Sequence, residues 1–347
     1  MKHAPFCQRP NYCQQLSCQQ LRAQASSQSR AGHYNLATLW LFRKLWLQSG
    51  KGHDYLAYLL FRRALGYPLS ANKANILQRF IALWPRRIWH KLYGHRLRQC
   101  RNLLAEHQHD SGGAVTTAAV PRRYQRQVRH WRSEQHRWHT QFSQYLQQAG
   151  SVVLVGNSPT LNGSLLGTAI DAADIVIRFN QFHSEHTQYC DSGRKCNVWV
   201  MAPDFRGQAP SAVQWCLVSG PDMVWQQQRW PQCCTRPDMQ LLSIGLVHWR
   251  KLVRQLAAPP SAGLLTAQYI ASILGYSVLH NNSRQNEAQP KSVLQLAGFG
   301  HTTASGQYHY AAPAHQAVSR HNWLAEHQLL QQWRQLHNDR TEQNSGP

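Results

Sequence analysis

Between residues 151 and 199 the chain alternates short runs of valine and isoleucine with clusters of glycine, asparagine and serine, a rhythm that few folds accommodate. Ser151 to Val155 is a short apolar run rich in β-branched residues, which predicts a buried strand. It stops at Gly156-Asn157-Ser158-Pro159, residues that turn a chain and offer side-chain hydrogen bonds. Small and polar residues continue through Asn162, Gly163, Ser164, Gly167 and Thr168. A second strand is predicted over 174–179, ending in Asn180, and a third over 197–201, after Asp191-Ser192-Gly193-Arg194-Lys195. A strand that enters a Gly/Asn/Ser loop is how an open α/β sheet offers backbone N–H groups to a nucleotide at its carboxyl edge. The residues alone leave this open. The loop carries neither G-x-G-x-x-G nor G-K-[ST], and a strand followed by a turn occurs in any α/β protein.

Further strands are predicted near 213–218, 240–244 and 293–298, and helices near 246–256, 263–274 and 321–337. Strands alternating with helices predict an α/β domain with a mostly parallel sheet. Upstream, Tyr124, Val128, Trp131, Trp138, Phe142 and Tyr145 recur at helical spacing, interrupted by Gln135, and Gly150 is read as the cap that ends this helix. Residues 107–121 read as a linker. The region from 34 to 106 reads as helical, with Leu36, Leu39, Trp40, Phe42, Leu45 and Trp46 along one segment and Leu56, Leu59, Leu60, Phe61 and Leu65 along a second. A third segment is broken by Pro85. Residues 1–33 are rich in Gln, Ser and Cys and are expected to be loosely ordered, and 339–347 to be a polar tail. The α/β domain of such a chain would span 122–338.

Charge divides the chain unevenly. Of 37 Lys and Arg against 15 Asp and Glu, residues 1–140 hold 23 against four, a net of +19, and residues 141–347 only 14 against 11. A basic surface of this kind attracts an anionic membrane or nucleic acid. Its aromatic and arginine content suits an interfacial amphipathic helix or, equally, a small helical domain with aromatics in its core. No stretch reaches the ~20 apolar residues needed to cross a bilayer, and the first residues do not read as a secretory signal. The nine cysteines contain no C-x-x-C pair, so zinc is not expected, and the compartment expected is a reducing cytoplasm, with attachment to the inner face of the membrane.

The strings VVLVGNSPTLNG, IDAADIVIRFN and DSGRKCNVWV resemble the large motif of glycosyltransferase family 29, the sialyltransferases. Pro260-Ser261-Ala262-Gly263-Leu264-Leu265 opens an apolar helix with an N-cap signature and resembles the family's small motif, with Ala262 where a hydroxyl residue is usual. Gly298-Phe299-Gly300 resembles the G-F that ends the strand after that motif. Gly306-Gln307-Tyr308-His309-Tyr310 resembles the third motif, although Ala311 replaces its closing acid. His321 and Glu326 have the H-x-x-x-x-E spacing of the last motif. In a chain with 20 histidines it is their place after the other motifs, in family order, that gives the pair meaning.

The resemblance implies a bacterial-type, GT-A-like variant of the Rossmann-like fold: a mostly parallel sheet flanked by helices, here preceded by a basic helical region. It implies inverting transfer of sialic acid from a CMP-activated donor to the hydroxyl of a glycan acceptor, with no cofactor and no metal; a basic region held at a membrane would suit a lipid-linked acceptor. His321 would be the general base and His309 would meet the leaving phosphate; Gly156, Asn157, Ser158, Asn180, Ser261, Gly263 and Tyr310 would hold the donor. Histidine suits both roles because it titrates near neutral pH. Asp171, Asp174 and Asp191 lack the D-x-D arrangement of metal-dependent transferases and are expected to be structural. The family's disulfide between the large and small motifs cannot form, because Ser151 and Gly275 stand at its positions. Two alternatives stay open. One is a donor carrying 3-deoxy-manno-octulosonic acid in place of sialic acid; the other is an inactive transferase-like protein that binds membrane or nucleic acid.

Overall fold

The computed structural model describes residues 16–83, 86–110, 122–182, 189–203, 205, 207, 209–210, 213–220, 238–276, 292–300 and 320–344. Its centre is a six-stranded sheet, every pairing parallel, in the order β5-β4-β3-β2-β1-β6. The strands are β1 (Ser151–Val155), β2 (Ile175–Phe179), β3 (Val198–Met201), β4 (Trp215–Val218), β5 (Gln240–Ser243) and β6 (Val293–Ala297). All six coincide with predicted runs to within two residues. β2, β3 and β4 are buried along their whole length, which explains why they read as unbroken apolar runs and not as alternating ones.

Helices cover both faces. They are α1 (Cys18–Arg30), α2 (Leu36–Ser49), α3 (Gly52–Ala64), α4 (Ala71–Leu83), α5 (Arg86–Asp110), α6 (Gln125–Gln148), α7 (Gly167–Ala172), α8 (Tyr189–Ser192), α9 (Leu246–Leu256), α10 (Ala262–Ile273) and α11 (Trp323–Asn344). Because successive strand residues point to opposite faces, Val152 and Leu154 of β1 enter the main core while Val153 and Val155 pack with Ile170 and Val176 in a smaller cluster. The α/β architecture, a parallel sheet between helices, is the one the sequence predicts.

Four expectations need correction. Within 1–33, residues 18–30 form a helix capped by Ser17, with Leu21 and Ala25 fully buried. The expected linker at 107–121 begins later, since α5 runs to Asp110; residues 111–121 lie outside the described part. α11 likewise extends to Asn344, through most of the expected polar tail. Gly150 does not cap α6 in a left-handed turn; Ala149 ends that helix in an extended conformation. The chain reverses there because the Asp174 carboxylate accepts the Gly150 and Ser151 amides at 2.8 and 2.9 Å.

The basic helical region is not a separate body. Phe42, Tyr55, Leu56, Leu59 and Leu65 share one core with Trp249, Leu252 and the sheet residues Trp199 and Leu217. The Trp249 indole of α9 donates to the carbonyl of Ala64 at 2.6 Å, and the Tyr34 amide donates to Ala257 at 3.0 Å. On the far edge of the sheet, Gln135 of α6 acts as a substitute strand. Its amide donates to the Leu241 carbonyl at 2.6 Å and its carbonyl accepts the Ser243 N–H at 3.0 Å, so the outer edge of β5 finds partners.

Candidate active site at the switch point of the sheet

From β1 the chain steps outward through β2, β3, β4 and β5, then returns to lay β6 on the other side of β1. The carboxyl ends of β1 and β6 therefore flank the switch point, where ligands of open α/β sheets bind. The loops at that point are Gly156-Asn157-Ser158 and Gly298-Phe299-Gly300. They touch closely. The Gly156 amide donates to Ala297 at 2.8 Å and the Ser158 amide to Gly298 at 3.1 Å. A Cβ on Gly156 would fall 2.3 Å from the Gly298 carbonyl, and Gly298 itself is left-handed at φ +67. Packing alone thus requires glycine at 156.

Asn157 lies beside β2. Its Nδ2 donates to the Phe179 carbonyl at 3.2 Å, while its buried Oδ1 has no partner among the described residues. A buried acceptor left unpaired is costly, and a water or a ligand can supply the missing donor. Ser158 is nearly buried and caps the single turn Pro159–Leu161, with its oxygen accepting from the Thr160 amide and hydroxyl. Asn180, at the end of β2, takes the left-handed conformation at φ +47, which asparagine tolerates better than most residues. Its Oδ1 accepts the Ala202 amide at 2.8 Å and its carbonyl accepts the Trp199 indole at 2.8 Å, so this side chain binds β2 to the end of β3.

The N-terminus of α10 closes the other side. Ser261 is its N-cap, accepting the Leu264 amide. Gly263 lies under the Phe299 ring, where a Cβ would come within 2.9 Å of the ring edge, and that ring meets Phe179 edge-on at 6.0 Å. Phe299 thereby joins α10 to the ends of β1 and β2. The start of α11 completes the arrangement. Asn322 caps α11 by accepting the Ala325 amide. His321, one residue before the cap, places Nδ1 2.8 Å from the Pro259 carbonyl. A carbonyl oxygen only accepts, so Nδ1 carries the proton and Nε2 keeps its lone pair. Burial holds the His321 pKa below that of ordinary histidine, against the Pro259 contact that raises it.

Glu326 is the residue that sequence reading under-used. It is buried, and its carboxylate accepts the Ser261 amide at 2.7 Å and the Ser261 hydroxyl at 2.6 Å. Burial pushes its pKa up to about 7, against those two hydrogen bonds. The H-x-x-x-x-E spacing acquires a physical reason. One residue before the cap and one full turn into the helix, the two side chains reach the same strip, Pro259 to Ser261.

The acids of the large motif do serve the backbone. Asp171 accepts the amides of Arg194 and Lys195, Asp174 those of Gly150 and Ser151, and Asp191 those of Gly163 and Leu165. Arg178 lies fully buried and donates to the carbonyls of Lys195 and Ser192 at 2.8 and 2.6 Å. These contacts fold the DSGRK loop against β2, which is why acids and an arginine recur at those spacings.

Residues 120–218 match the model of glycosyltransferase family 29 (sialyltransferase). This stretch is similar to that family. The matched segment spans α6 through β4 and so supplies Gly156, Asn157, Ser158 and Asn180 to the switch point. Among solved structures, a mammalian sialyltransferase in complex with Gal-beta-1-3GalNAc-ortho-nitrophenol is 19% identical, with a TM-score of 0.38, over 53% of this chain and 65% of that one. A second mammalian sialyltransferase is 16% identical with a TM-score of 0.36, over the same 53% and 65%. This chain thus spans about two thirds of those structures. No curated protein matches it. His309 and Tyr310, expected at the leaving phosphate and the donor, lie outside the described residues.

Proposed function

We propose that this protein is a glycosyltransferase that moves sialic acid from a CMP-activated donor to an acceptor hydroxyl on a glycan, with inversion and with His321 as general base. The observation that supports it most is where the segment similar to family 29 falls: it supplies the switch-point loops, including the Asn157 side-chain carbonyl that has no donor among the described residues. In this reading Asn157 and the amides around Ser158 hold the nucleotide. Nε2 of His321 takes the proton of the acceptor hydroxyl as its oxygen attacks the anomeric carbon. The bond from that carbon to the phosphate oxygen breaks, and CMP leaves with the electron pair. His309 meets that phosphate. Glu326 is a positioning residue, fixing Ser261 and with it the N-terminus of α10. In this reading no cofactor takes part and the reaction is independent of metal; Asp171, Asp174 and Asp191, the acids of the large motif, hold backbone amides. The CMP-activated 3-deoxy-manno-octulosonic acid donor is the second reading. It has the same anomeric carboxylate and leaving group, and no described contact distinguishes the two.

Two measurements test the proposal. CMP should raise the melting temperature of the intact protein, since a ligand at about 100 times its Kd stabilises by about 2.7 kcal/mol, and Asn157→Ala should shrink that shift. A melting curve unmoved by millimolar CMP would remove the nucleotide assignment. Transfer from each donor should then persist in EDTA; its loss with rescue by manganese would overturn metal independence.

A further inference from the structure

We propose that the outward face of α2 docks on an anionic lipid bilayer, with Leu36, Trp40 and Leu47 as apolar anchors and Arg43 and Lys44 as headgroup contacts. α2 turns Thr38, Phe42 and Leu45 into the core. At 100° per residue the opposite face carries Leu36, Trp40, Arg43, Lys44 and Leu47. On a surface helix that face is ordinarily polar. Here Leu36 is 66% exposed, Trp40 48% and Leu47 61%, three of the nine large apolar side chains exposed in the described structure, gathered on one helix. Lys44 holds its ammonium 4.9 Å from the centre of the Trp40 ring, so charge and ring lie side by side. Trp40, Arg43, Lys44, Leu47 and Gln48 border an open hollow of about 640 Å³.

Charge selects the occupant. Residues 1–140 carry 23 Lys and Arg against four acids. The three of those acids with described side chains each hold an arginine: Asp54 with Arg22 at 2.8 Å, Glu106 with Arg63 at 2.5 Å and Glu134 with Arg137 at 2.5 Å. None of these three is left to offset Arg43 and Lys44. Lys73 of α4 adds to the same field, since Arg43 is among the charges that disfavour its protonated form. A second copy of this chain, itself at +22, would bring like charge against like. A nucleic acid would use the charge and the Trp40 ring but would leave Leu36 and Leu47 in water. A bilayer uses all five, because tryptophan and snorkelling lysine or arginine favour the interface while leucine enters the acyl layer.

The test uses the full chain and two vesicle preparations, phosphatidylcholine alone and phosphatidylcholine with about one third phosphatidylglycerol, followed by co-sedimentation over a salt series. The protein should partition onto the anionic vesicles, at least tenfold more weakly onto the neutral ones, and release as salt rises. Arg43→Gln with Lys44→Gln should weaken partition by about fivefold per charge removed. Leu36→Ser, Trp40→Ser and Leu47→Ser together should weaken it more than tenfold while the melting temperature stays close to that of the parent, since all three side chains face outward. Equal partition by the folded triple variant and the parent overturns the proposal. So does tighter binding to a single-stranded RNA at the same salt, with the leucine substitutions without effect.

Discussion

His321 and Glu326 act on one strip of chain but titrate in opposite senses, and this makes them separable. The unfolded Glu326 carboxyl ionises near 4.5 and the folded one at about 7. Between those values the folded state binds more protons, so this residue's contribution to stability is full below pH 4.5 and is lost as pH rises through 7. At about 1.4 kcal/mol per unit, the loss is on the order of 3 kcal/mol. Glu326→Gln keeps an acceptor for the Ser261 amide and does not ionise, so it should gain on the parent as pH rises from 4.5 to 7.5. Chemical denaturation across that range checks it, and parallel curves would show a carboxylate that is already charged when folded. For His321 burial lowers the pKa below 6.5, so its contribution is full above pH 6.5 and fades as pH falls through the folded value. The same depression keeps Nε2 available to an acceptor in neutral solution. His321→Ala should therefore cut transfer by about 10²–10⁴-fold while leaving the CMP-induced melting shift in place. A folded variant with near-parent turnover would take His321 out of the mechanism.

At the scale of elements, the link between α9 and α10 is the most constrained piece of the site. Ala257 ends α9 at φ +50, a conformation that costs a side-chain-bearing residue about 1–2 kcal/mol. It is held there by Tyr34, whose amide binds its carbonyl, and by Asn322, whose Nδ2 donates to Leu256 at 3.3 Å. Ala257→Gly should raise stability by about 1 kcal/mol, read as a higher urea midpoint with CMP binding unchanged; a lower midpoint would mean that the methyl group packs. What the sequence disclosed here, and what it hid, follows from range. β2, β3 and β4 were legible because a strand buried on both faces is an apolar run whatever surrounds it. The Ser261 cap was legible because capping is local. Gln135 was visible only as a flaw in the apolar stripe of α6, since its partner is the backbone of β5, 106 residues away. Gly150 misled because glycine after a helix has two uses, and the deciding contact comes from Asp174. α1 was missed because its burial rests on two residues, Leu21 and Ala25, too few to show a periodicity.

At the scale of the whole molecule, the basic helical region supports the site directly, and a chain shortened to 122–347 should not fold cooperatively. The removed helices supply Phe42, Tyr55, Leu56, Leu59 and Leu65 to the common core and bury Trp249 of α9. Loss of any one such side chain typically costs 2–5 kcal/mol, against a total stability of only about 5–15 kcal/mol. A sharper test leaves the core intact. Gly32, in the turn between α1 and α2, has φ +83, and a Cβ there would fall 2.7 Å from the carbonyl oxygen of Arg320, the residue before His321. Gly32→Ala therefore meets both a left-handed backbone and a backbone neighbour that cannot rotate away. Either the helical turn or the Arg320–His321 segment must shift. The expected result is a loss of about 1–3 kcal/mol in stability and a fall in turnover, with the CMP-induced melting shift retained because the loops after β1 and β2 are untouched. Turnover should fall at temperatures where the variant is fully folded, since displacement of His321 by even 1 Å would misplace the proposed base. If the variant loses stability but turns over at the parent rate when folded, the helical region only packs against the half that carries the candidate site and does not set the position of His321.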